Sequence, residues 1–428
     1  MFKKWFAACM AVTMSAVLTA CRKDVSSSIK NTEVSELSAA ESSAETSELD
    51  FTLPEGVLGD ASPLVPGTVN VDKMAVPESE GLQFTKQLKL GWNLGNTFDA
   101  SDCESYTSND LDYESAWCGS VTTTRDIAAI KAAGFQTIRI PVSWHNHVDA
   151  QYHINEAWLN RVKEVVSWCR TCDLYVILNI HHDNAEDFLY PDSAHLEQSK
   201  AYVTAIWEQL AAAFADEDEH LIFEAMNEPR LVGTAYEWSL DTGNAVCQDA
   251  VSCINTLNQV FVDTVRAAGG NNAVRYLMCP GYAASVEGCL NDGFALPQDP
   301  ANRVIVSVHA YTPYNFALNK TGTDEFDCEN SADVGSITSF MDNLYGKFIC
   351  NQIPVVIGEF GALNKDNLEQ RVEFAAVYTA AAHRRGIPCC WWDNNAFSGS
   401  GENFGLLYRK TAKFLYPEIV QAMNQYAQ

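Results

Sequence analysis

The chain is poor in basic residues, and this lack excludes several classes of partner. Its 428 residues contain 28 Lys and Arg against 55 Asp and Glu, which gives a formal net charge of −27. Phosphate backbones and anionic lipid surfaces attract basic patches and repel a chain of this charge. We therefore expect no nucleic acid among the partners and no electrostatic docking on a membrane. A neutral polymer is the simpler partner.

Long apolar runs are nearly absent as well. The first residues carry one, because a basic start is followed by an apolar run from Trp5 to Ala20. This run is shorter than the roughly 20 residues that span a bilayer, and its organisation is that of an export signal. Residues 18–21, Leu-Thr-Ala-Cys, resemble a bacterial lipobox. We predict a lipoprotein signal peptide over residues 1–21 with lipid on Cys21, and an ordinary secretion signal is the alternative.

Aromatic residues are scarce between residue 22 and about residue 80. Ser, Glu, Ala and Thr dominate this segment, and Pro and Gly join them later. Such a composition buries too little apolar surface to offset the conformational entropy of the chain. We predict a flexible linker over residues 22–80 and a single catalytic domain over residues 81–428. The protein is expected at the bacterial cell surface or in the periplasm, attached to the membrane only through the lipid.

Several catalytic signatures are missing. There is no Gly-x-Ser-x-Gly elbow of a serine esterase, and the segment 181–183, His-His-Asp, lacks the spacing of a helical His-Glu-x-x-His zinc site. Residues 91–96 do not match the Gly-rich phosphate loop of a dinucleotide-binding sheet. We expect no cofactor and no metal ion.

Strand and helix patterns alternate along the domain. Amphipathic segments such as residues 123–134 begin at a capping Thr and end at a Gly. Eight apolar segments have the length and composition of buried strands: residues 88–93, 137–141, 174–180, 221–225, 275–278, 304–308, 354–358 and 388–392. Eight strand-helix units predict an α/β fold of the (β/α)8 TIM barrel type, with its active site at the C-terminal ends of the strands. A doubly wound open sheet is the competing fold.

Two glutamates stand where predicted strands end. Glu228 follows the fourth predicted strand in Asn-Glu-Pro, and Glu359 follows the seventh in Gly-Glu-Phe-Gly. Two carboxylates across one cleft can act as acid and nucleophile in the cleavage of a glycosidic bond. The alternative is that each is an ordinary solvated residue at a strand end.

Polar and aromatic residues collect at the other strand ends. Aromatic faces stack on sugar rings, and Asn, Asp and His bind hydroxyls, so this rim predicts a carbohydrate site. Its members are Trp92, Asn93, Asn96, Asp99, Arg139, Trp144, His145, Asn179, His181, His182, Asp183, Asn227, His309, Tyr311, Trp391, Trp392, Asp393 and Asn394. His181 and His182 are adjacent, so strand alternation predicts that one of them packs structurally, and we select His181 for the site.

Six motifs in order resemble glycoside hydrolase family 5, the cellulase family A. They are residues 91–97 (Gly-Trp-Asn-Leu-Gly-Asn-Thr), 138–144 (Ile-Arg-Ile-Pro-Val-Ser-Trp), 179–183 (Asn-Ile-His-His-Asp), 227–229 (Asn-Glu-Pro), 309–311 (His-Ala-Tyr) and 358–361 (Gly-Glu-Phe-Gly). The resemblance runs from about residue 87 to about residue 408. Residues 91–97 and 143–148 are most similar to the bacterial endoglucanase and xyloglucanase branch.

The resemblance implies a role for each matched residue. Glu228 would be the acid/base with a raised pKa, and Glu359 the nucleophile, held charged by Arg139 and Tyr311. Asn227 would bind the 2-hydroxyl of the sugar being cleaved. His181, His309 and Trp392 complete the implied substrate-binding set, to which the strand ends add Asn96, Trp144 and His145.

The implied activity is that of a retaining endo-β-1,4-glucanase acting on cellulose, mixed-linkage β-glucan or xyloglucan. An endo-β-mannanase or another β-glycanase on the same scaffold is the first alternative. A non-catalytic glycan-binding lipoprotein of the cell surface is the second, although such a protein would be expected to lack one of the two glutamates. We expect a monomer whose partner is a β-glucan.

Cysteine is abundant for an exported chain. Twelve of the 14 cysteines follow residue 21, and neighbouring pairs were natural candidates for disulfides that close loops. The predicted pairs are Cys103/Cys118, Cys247/Cys253, Cys279/Cys289 and Cys328/Cys350. Cys169 and Cys172 predict a disulfide or, as an alternative, half of a zinc or redox site, and the adjacent Cys389 and Cys390 have no assigned partner.

Overall fold

The computed structural model describes residues 49–53, 56–59 and 62–427. The predicted signal peptide, with Cys21, therefore lies outside the described residues. Eight parallel strands pair in chain order, and the first also pairs with the last, so they form a closed barrel. The barrel strands are β1 Leu90–Leu94, β2 Thr137–Ile140, β3 Tyr175–Asn179, β4 Leu221–Glu224, β5 Leu277–Pro280, β6 Val304–His309, β7 Val355–Phe360 and β8 Cys389–Asp393.

One helix precedes the first strand, and the others lie between the strands or after the last one. They are α1 Glu80–Leu88, α2 Tyr113–Ala116, α3 Thr124–Ala132, α4 Glu156–Thr171, α5 Leu196–Ala213, α6 Ala245–Ala267, α7 Val286–Leu290, α8 Tyr314–Ala317, α9 Ser331–Lys347, α10 Leu368–His383 and α11 Pro417–Tyr426. Two short antiparallel strands, β9 Leu407–Tyr408 and β10 Lys413–Phe414, precede α11. Within the described ranges, no helix is both long enough and apolar enough to span a membrane.

The predicted (β/α)8 barrel is confirmed, and the bounds of its strands differ from the predicted ones by at most two residues. The largest shift is in β5, which begins at Leu277 rather than at Arg275. Arg275 is buried and donates to the backbone carbonyls of residues 214, 217, 218 and 221. Its guanidinium therefore satisfies backbone carbonyls in the segment that leads into β4 at the bottom of the barrel.

The helix predicted at residues 123–134 is also confirmed, as α3. Thr123 is its N-cap and exchanges hydrogen bonds with Asp126 in a capping box. Gly134, just beyond the helix, has a φ of +98°, which favours glycine. An added Cβ there would also lie 2.3 Å from the side-chain oxygen of Asn424.

Helix α1 closes the bottom of the barrel. Phe84 stacks on Tyr276 with ring centroids 3.7 Å apart, and Leu88 joins the same buried cluster. That cluster contains inward-facing residues of the strands, among them Ile177 and Ile222. Because the interior is filled from below, access to the polar residues above it is from the C-terminal ends of the strands.

The last part of the predicted linker lies within the described residues. An approach segment, residues 62–79, already lies against the helices of the barrel: Val69 and Val71 are buried, and the Met74 amide donates to the carbonyl of Arg384 at 2.8 Å. Tyr426 donates its hydroxyl to the Pro66 carbonyl at 2.7 Å. A few apolar side chains in a polar composition are enough to hold this segment because α10 and α11 offer matching surface.

The predicted disulfides are absent from the described residues, where all twelve cysteines are free. Cys247 and Cys253 both lie on α6, and six residues of helix separate them by about 9 Å along the axis, beyond the reach of a disulfide. Cys389 and Cys390 are adjacent in β8 and point to opposite faces, since the first packs in the outer core and the second inside the barrel. Spacing in the sequence did not reveal either constraint.

Candidate active site

A cleft of about 1340 Å³ lies across the C-terminal ends of the strands. It contains both predicted catalytic glutamates and six of the nine predicted substrate-binding residues: Asn96, His181, Asn227, His309, Tyr311 and Trp392. A second cavity of about 700 Å³, beside α6 and α7, meets the cleft at Leu240. Asp292 is the one carboxylate in its lining, so the paired acids belong to the larger cleft.

The two glutamates approach each other over His309. A carboxylate oxygen of Glu228, one of Glu359 and a ring nitrogen of His309 all lie within 4.8 Å of one another. The Nδ1 atom of His309 is 2.9 Å from Oε1 of Glu228 and 3.6 Å from Oε1 of Glu359. Retaining glycosidases hold their carboxyl groups about 5 Å apart, whereas inverting enzymes leave room for a water between them. The separation here is that of a retaining pair.

Arg139 organises the floor of the cleft. It is fully buried inside the barrel, and each of its five N–H groups has a partner. Nε donates to Glu224 at 2.8 Å, and Nη1 donates to Asn93 at 3.0 Å and to Glu359 at 2.7 Å. Nη2 donates to Asn227 at 2.7 Å and contacts Nε2 of His309 at 3.3 Å. One cation thus orients residues from β1, β4, β6 and β7.

Glu359 has a second donor in Tyr311. The hydroxyl of Tyr311 donates to Oε2 of Glu359 at 2.8 Å, opposite the bond from Arg139 to Oε1. Burial and the charge of Glu359 raise the pKa of Tyr311 well above its usual value, so the phenol keeps its proton. Both oxygens of Glu359 therefore accept hydrogen bonds, which fixes the plane of the carboxylate.

The pKa of Glu228 differs in direction from the expected one. Burial alone would raise it, but the hydrogen bond from His309 and the positive charges of Arg230 and Arg139 lower the pKa of this carboxyl below its ordinary value. The sequence-based expectation of a raised pKa is wrong for the protein without substrate. The reason is that the buried ring of His309 donates a hydrogen bond to Glu228, and a donor to a carboxylate favours its charged form.

The tautomer of His309 follows from its two neighbours. Arg139 has only donors, so Nε2 of His309 accepts from Nη2, and Nδ1 carries the proton that is donated to Glu228. Burial opposes a charge on the ring, but Glu359 and Glu228 raise the pKa of His309. The imidazole joins Arg139 to Glu228.

His181 is fixed in a similar way. Asn179 donates its amide to Glu224 at 2.9 Å, so the same NH2 group also donates to Nδ1 of His181, at 3.1 Å. The remaining proton of the neutral ring is then on Nε2, where it can donate to a ligand. Burial lowers the pKa of His181 well below its usual value, which keeps the ring neutral. A lone pair for a metal ion on Nε2 is excluded by this tautomer, although Asp99 and His182 lie close by.

Trp392 provides an apolar surface beside these polar groups. Its ring is parallel to that of His181, with centroids 5.8 Å apart, and 7 % of the residue is exposed. A Cβ on Gly95 would lie 2.8 Å from the indole, so the close approach of the backbone requires glycine at this position. Trp391, the other candidate in this pair, is fully buried in the outer core.

Trp144 and His145 are not in the cleft, contrary to the prediction. Trp144 is fully buried and donates Nε1 to the carbonyl of Asn179 at 2.9 Å. His145 holds Asp183 at 2.6 Å through Nδ1 and is not among the residues that line the cleft. Both follow β2 outside the strand, and their hydrogen bonds to residues 179 and 183 hold them away from the cleft lining, so their position after a strand did not guarantee exposure.

Both histidines of the pair border the cleft, although alternation predicted that only one would. Strand β3 ends at Asn179, so residues 181 and 182 lie in a loop where alternation no longer applies. Burial lowers the pKa of His182 to about 4, and its ring contacts Trp117 with centroids 5.6 Å apart.

Several cleft residues were missed by the sequence analysis. Trp117, Trp238 and Tyr314 are exposed aromatic residues that line the cleft, and they lie in loops or short helices without a motif. Arg230 lies over the Trp238 ring at 4.0 Å, next to the Asn-Glu-Pro motif in the sequence. Glu402 also lines the cleft, and burial together with the charges of Glu359 and Glu228 raises its pKa. An exposed aromatic residue in a loop gives no periodic signal, so only the fold identifies it.

Comparison with known proteins agrees with this geometry. A solved GH5 family lichenase from Caldicellulosiruptor sp. F32 is 54 % identical and superposes with a TM-score of 0.84, covering 86 % of this chain and 100 % of that chain. A GH5-4 broad specificity endoglucanase from Ruminococcus champanellensis with bound cellotriose is 46 % identical, with a TM-score of 0.75 and coverage of 82 % and 99 %.

Curated relatives lead to the same family. Endoglucanase 1 of Ruminococcus albus is 42 % identical over 360 residues, which cover 83 % of this chain and 83 % of the relative. Endoglucanase A of Clostridium longisporum is 43 % identical over 343 residues, which cover 80 % of this chain and 65 % of the relative. The sequence model of the family Cellulase (glycosyl hydrolase family 5) matches residues 98–398. This chain therefore belongs to the cellulase family, glycosyl hydrolase family 5.

Proposed function

We propose that the protein is a retaining endo-β-1,4-glucanase that cleaves internal bonds of β-glucans. The observation that carries this proposal is the pair Glu228 and Glu359, whose nearest oxygens lie within 4.8 Å of each other at the C-terminal ends of the barrel strands. Each has the partners that its role requires: Arg139 and Tyr311 on the nucleophile, and His309 on the acid/base.

In the first step, Glu359 attacks the anomeric carbon of the sugar above it. The bond from that carbon to the glycosidic oxygen breaks, and Glu228 gives its proton to the departing oxygen. The product is a glycosyl ester on Glu359 and a free chain end. Arg139 and Tyr311 hold the carboxylate of Glu359 in one plane, so that its attacking oxygen is aimed before the substrate arrives.

In the second step, Glu228 takes a proton from a water molecule, which attacks the same carbon and releases the sugar from Glu359. Two displacements at one carbon restore its original configuration. The protonation of Glu228 changes between the two steps, because forming the ester removes the negative charge of Glu359. Loss of a neighbouring negative charge lowers the pKa of Glu228, which suits it to act as a base in this step.

In the free protein, His309 keeps the pKa of Glu228 low. A bound glycan excludes water from the carboxyl group of Glu228. It also places its neutral glycosidic oxygen, which must receive a proton, next to this group. Desolvation favours the neutral acid. We propose that substrate binding raises the pKa of Glu228 and thereby prepares it to be the acid.

The remaining residues fit the binding of a neutral sugar chain. Trp392 would stack under the sugar at the reaction centre, and the amide of Asn227 would bind its 2-hydroxyl. Asn96 and the Nε2–H group of His181 would bind further hydroxyls. The exposed aromatic residues of the cleft, Trp117, Trp238 and Tyr314, would stack on sugars on both sides, as an enzyme that cuts within a polymer requires.

The relatives support glucans as the substrate class. One solved relative is a lichenase, and several are described as broad specificity endoglucanases, one of them with bound cellotriose. For this chain we propose β-1,4-glucans with cellulose-like backbones, including mixed-linkage glucan and xyloglucan. No specific observation favours a mannan.

The test is reducing-end release on mixed-linkage β-glucan, xyloglucan, xylan and mannan, side by side, with wild type and Glu359→Gln. We expect the wild type to cleave the glucans, and Glu359→Gln to lose at least about a thousandfold of the rate while it still binds the glucans. Cleavage of mannan alone would refute the substrate class. Near wild-type activity of Glu359→Gln would refute the nucleophile, and an inactive wild type that binds glucans would indicate a binding protein.

We also propose that the protein is exported and anchored through lipid on Cys21, and that it acts as a monomer. The support is the lipobox-like segment 18–21 after a basic start and an apolar run. Labelling with a fatty-acid probe should mark the wild type and not Cys21→Ser, which should appear in the soluble fraction. Equal labelling of both would refute the anchor. Light scattering of the soluble domain should give the mass of one chain.

A further inference from the structure

A third glutamate lies directly beneath the catalytic pair. Glu224 is the last residue of β4, and strand alternation places it inside the barrel, two residues above the interior residue Ile222. Its side chain is 0 % exposed. It lies in the segment 221–225, whose sequence pattern indicates only a buried strand.

The hydrogen bonds of Glu224 account for both of its oxygens. Oε2 accepts from Nε of Arg139 at 2.8 Å and from the amide of Asn179 at 2.9 Å, and Oε1 accepts from the hydroxyl of Ser307 at 2.5 Å. A buried carboxylate is costly unless donors and a cation surround it. Three strands, β2, β3 and β6, supply the donors that surround Glu224 on β4.

The geometry of the guanidinium transmits this contact to Glu359. A guanidinium is planar, and its five N–H groups have fixed directions, so holding Nε sets the directions of Nη1 and Nη2. With Nε on Glu224, Nη1 lies 2.7 Å from Glu359 and Nη2 lies 2.7 Å from Asn227. Without Glu224, Nε would lose the acceptor that it has in this structure, and the plane of the guanidinium would be set only by the partners of Nη1 and Nη2.

The charge of Glu224 matters as well as its position. Arg139 forms ion pairs with both Glu224 and Glu359, so one positive charge is shared by two carboxylates. If Glu224 were neutral, the full charge of Arg139 would act on Glu359, and a carboxylate paired more strongly with a cation is a weaker nucleophile.

We propose that Glu224 is a positioning residue for the nucleophile, which aims Arg139 at Glu359 and takes up part of its charge. This inference rests on the proposed function, because it assumes the roles of Glu228 and Glu359. Glu224 touches no reacting atom and acts through Arg139.

The pH profile provides a readout that a purely structural role would not move. The charged and titratable groups around the two catalytic glutamates include Arg139, His182, Glu224, Arg230, His309, Tyr311 and Glu402, and His181, Glu287 and Lys320 line the same cleft. Arg139 already lowers the pKa of Glu228. Removing the negative charge of Glu224 leaves Arg139 less neutralised, so the pKa of Glu228 should fall further. The basic limb of the kcat/KM profile, where the acid loses its proton, should then move to lower pH.

The experiment compares Glu224→Gln with Thr137→Val in the soluble enzyme. Thr137 precedes Arg139 by two residues on β2 and donates its hydroxyl to the carbonyl of Leu88 at 2.8 Å, so Thr137→Val removes a buried hydrogen bond of the same strand without touching Glu224 and is the control. The substrate is an aryl cellobioside with a good leaving group, which needs no proton from an acid and so isolates the attack by Glu359. Thermal unfolding of each variant shows whether the fold is retained.

For Glu224→Gln we expect kcat/KM on the aryl cellobioside, which reports the steps up to formation of the ester on Glu359, to fall by about tenfold or more. The basic limb on a cello-oligosaccharide should move down by about half a pH unit. Thr137→Val should keep its kcat/KM within about twofold and its basic limb in place. A wild-type kcat/KM and pH profile in Glu224→Gln, or both effects reproduced by Thr137→Val, would overturn the inference.

If Glu224→Gln does not fold, Glu224→Asp takes its place. It keeps the charge but shortens the side chain by one methylene, so kcat/KM on the aryl cellobioside should fall while the basic limb of the pH profile stays in place. A wild-type kcat/KM in Glu224→Asp would overturn the inference. Glu359→Gln separates this outcome from failure of the proposed function: if that variant is inactive while the Glu224 variants behave as wild type, only the role of Glu224 is refuted.

Discussion

At the scale of single residues, the hydrogen bond from His309 helps to set the pKa of Glu228, the proposed catalytic acid. Glu228 is largely removed from solvent, with 16 % of its side chain exposed, and the hydrogen bond from His309 at 2.9 Å offsets the cost of its charge. If His309 is removed, its hydrogen bond no longer offsets the free-energy cost of desolvating the Glu228 carboxylate. The pKa of the acid should therefore rise, and an acid with a higher pKa stays protonated to higher pH.

For His309→Ala we expect the basic limb of the kcat/KM profile to move to higher pH by about one unit, because a hydrogen bond to a charged group is worth about 1.5–3 kcal/mol. Tyr311→Phe is the control, since it removes a donor from Glu359 and none from Glu228. Its kcat should fall with the basic limb in place. A limb in His309→Ala that stays put or moves to lower pH would contradict this account.

Trp238 gives a prediction about binding. It is 64 % exposed, lines the cleft, and lies under the guanidinium of Arg230. An aromatic face so exposed adds little to folding, and stacking on a sugar is worth about 1 kcal/mol. Trp238→Ala should raise KM on cello-oligosaccharides by about fivefold to tenfold, with kcat and the melting temperature unchanged. Val274→Ala, an exposed residue before β5, is the control, and an equal KM in both variants would exclude the subsite.

At the scale of elements, the approach segment contributes to the stability of the barrel. It buries Val69 and Val71 and contributes hydrogen bonds from Met74 and to Pro66. Two buried valines are worth about 3 kcal/mol in total, less the cost of ordering the segment.

A chain that begins at Glu78 removes most of this segment and keeps Ser79, the N-cap of α1. Compared with a chain that begins at Leu49, we expect its melting temperature to fall by about 3–6 °C, with kcat on β-glucan unchanged because the segment lies away from the cleft. Differential scanning calorimetry measures the first and reducing-end release the second. Equal melting temperatures would mean that the contacts add no stability.

Strand β8 shows how an element divides its residues between two tasks. Its alternation sends Cys389 and Trp391 to the outer core and Cys390 into the barrel, where it packs against Gly91. Trp392, at the end of the strand, then faces the cleft. The pattern of a single strand therefore explains why adjacent tryptophans have different roles.

At the scale of the whole molecule, the net charge of −27 separates neutral substrates from anionic ones. Carboxymethylcellulose carries negative charge, so the protein should repel it at low ionic strength, and salt should screen that repulsion. Mixed-linkage β-glucan is neutral. Between about 20 mM and 300 mM NaCl we expect KM for carboxymethylcellulose to fall severalfold and KM for mixed-linkage β-glucan to change by less than about twofold. Equal salt dependence of the two substrates would refute this explanation.

The sequence by itself determined the barrel and the positions of Glu228 and Glu359. Alternating apolar strands and capped helices are local patterns, and the end of a strand can be read from the residues beside it. The C-terminal ends of all parallel strands of a barrel lie on the same face, so residues at these ends were expected in one cleft. Asn227, His309 and Trp392 line that cleft.

Only the tertiary structure decided the environment of these residues. The low pKa of Glu228, the five partners of Arg139, the burial of Trp144 and the place of Glu224 all depend on side chains from distant strands. The exposure of Trp238 and the packing of the approach segment depend on surfaces formed by several elements. Electrostatics and packing act through space, and neither is encoded in the spacing of residues along the chain.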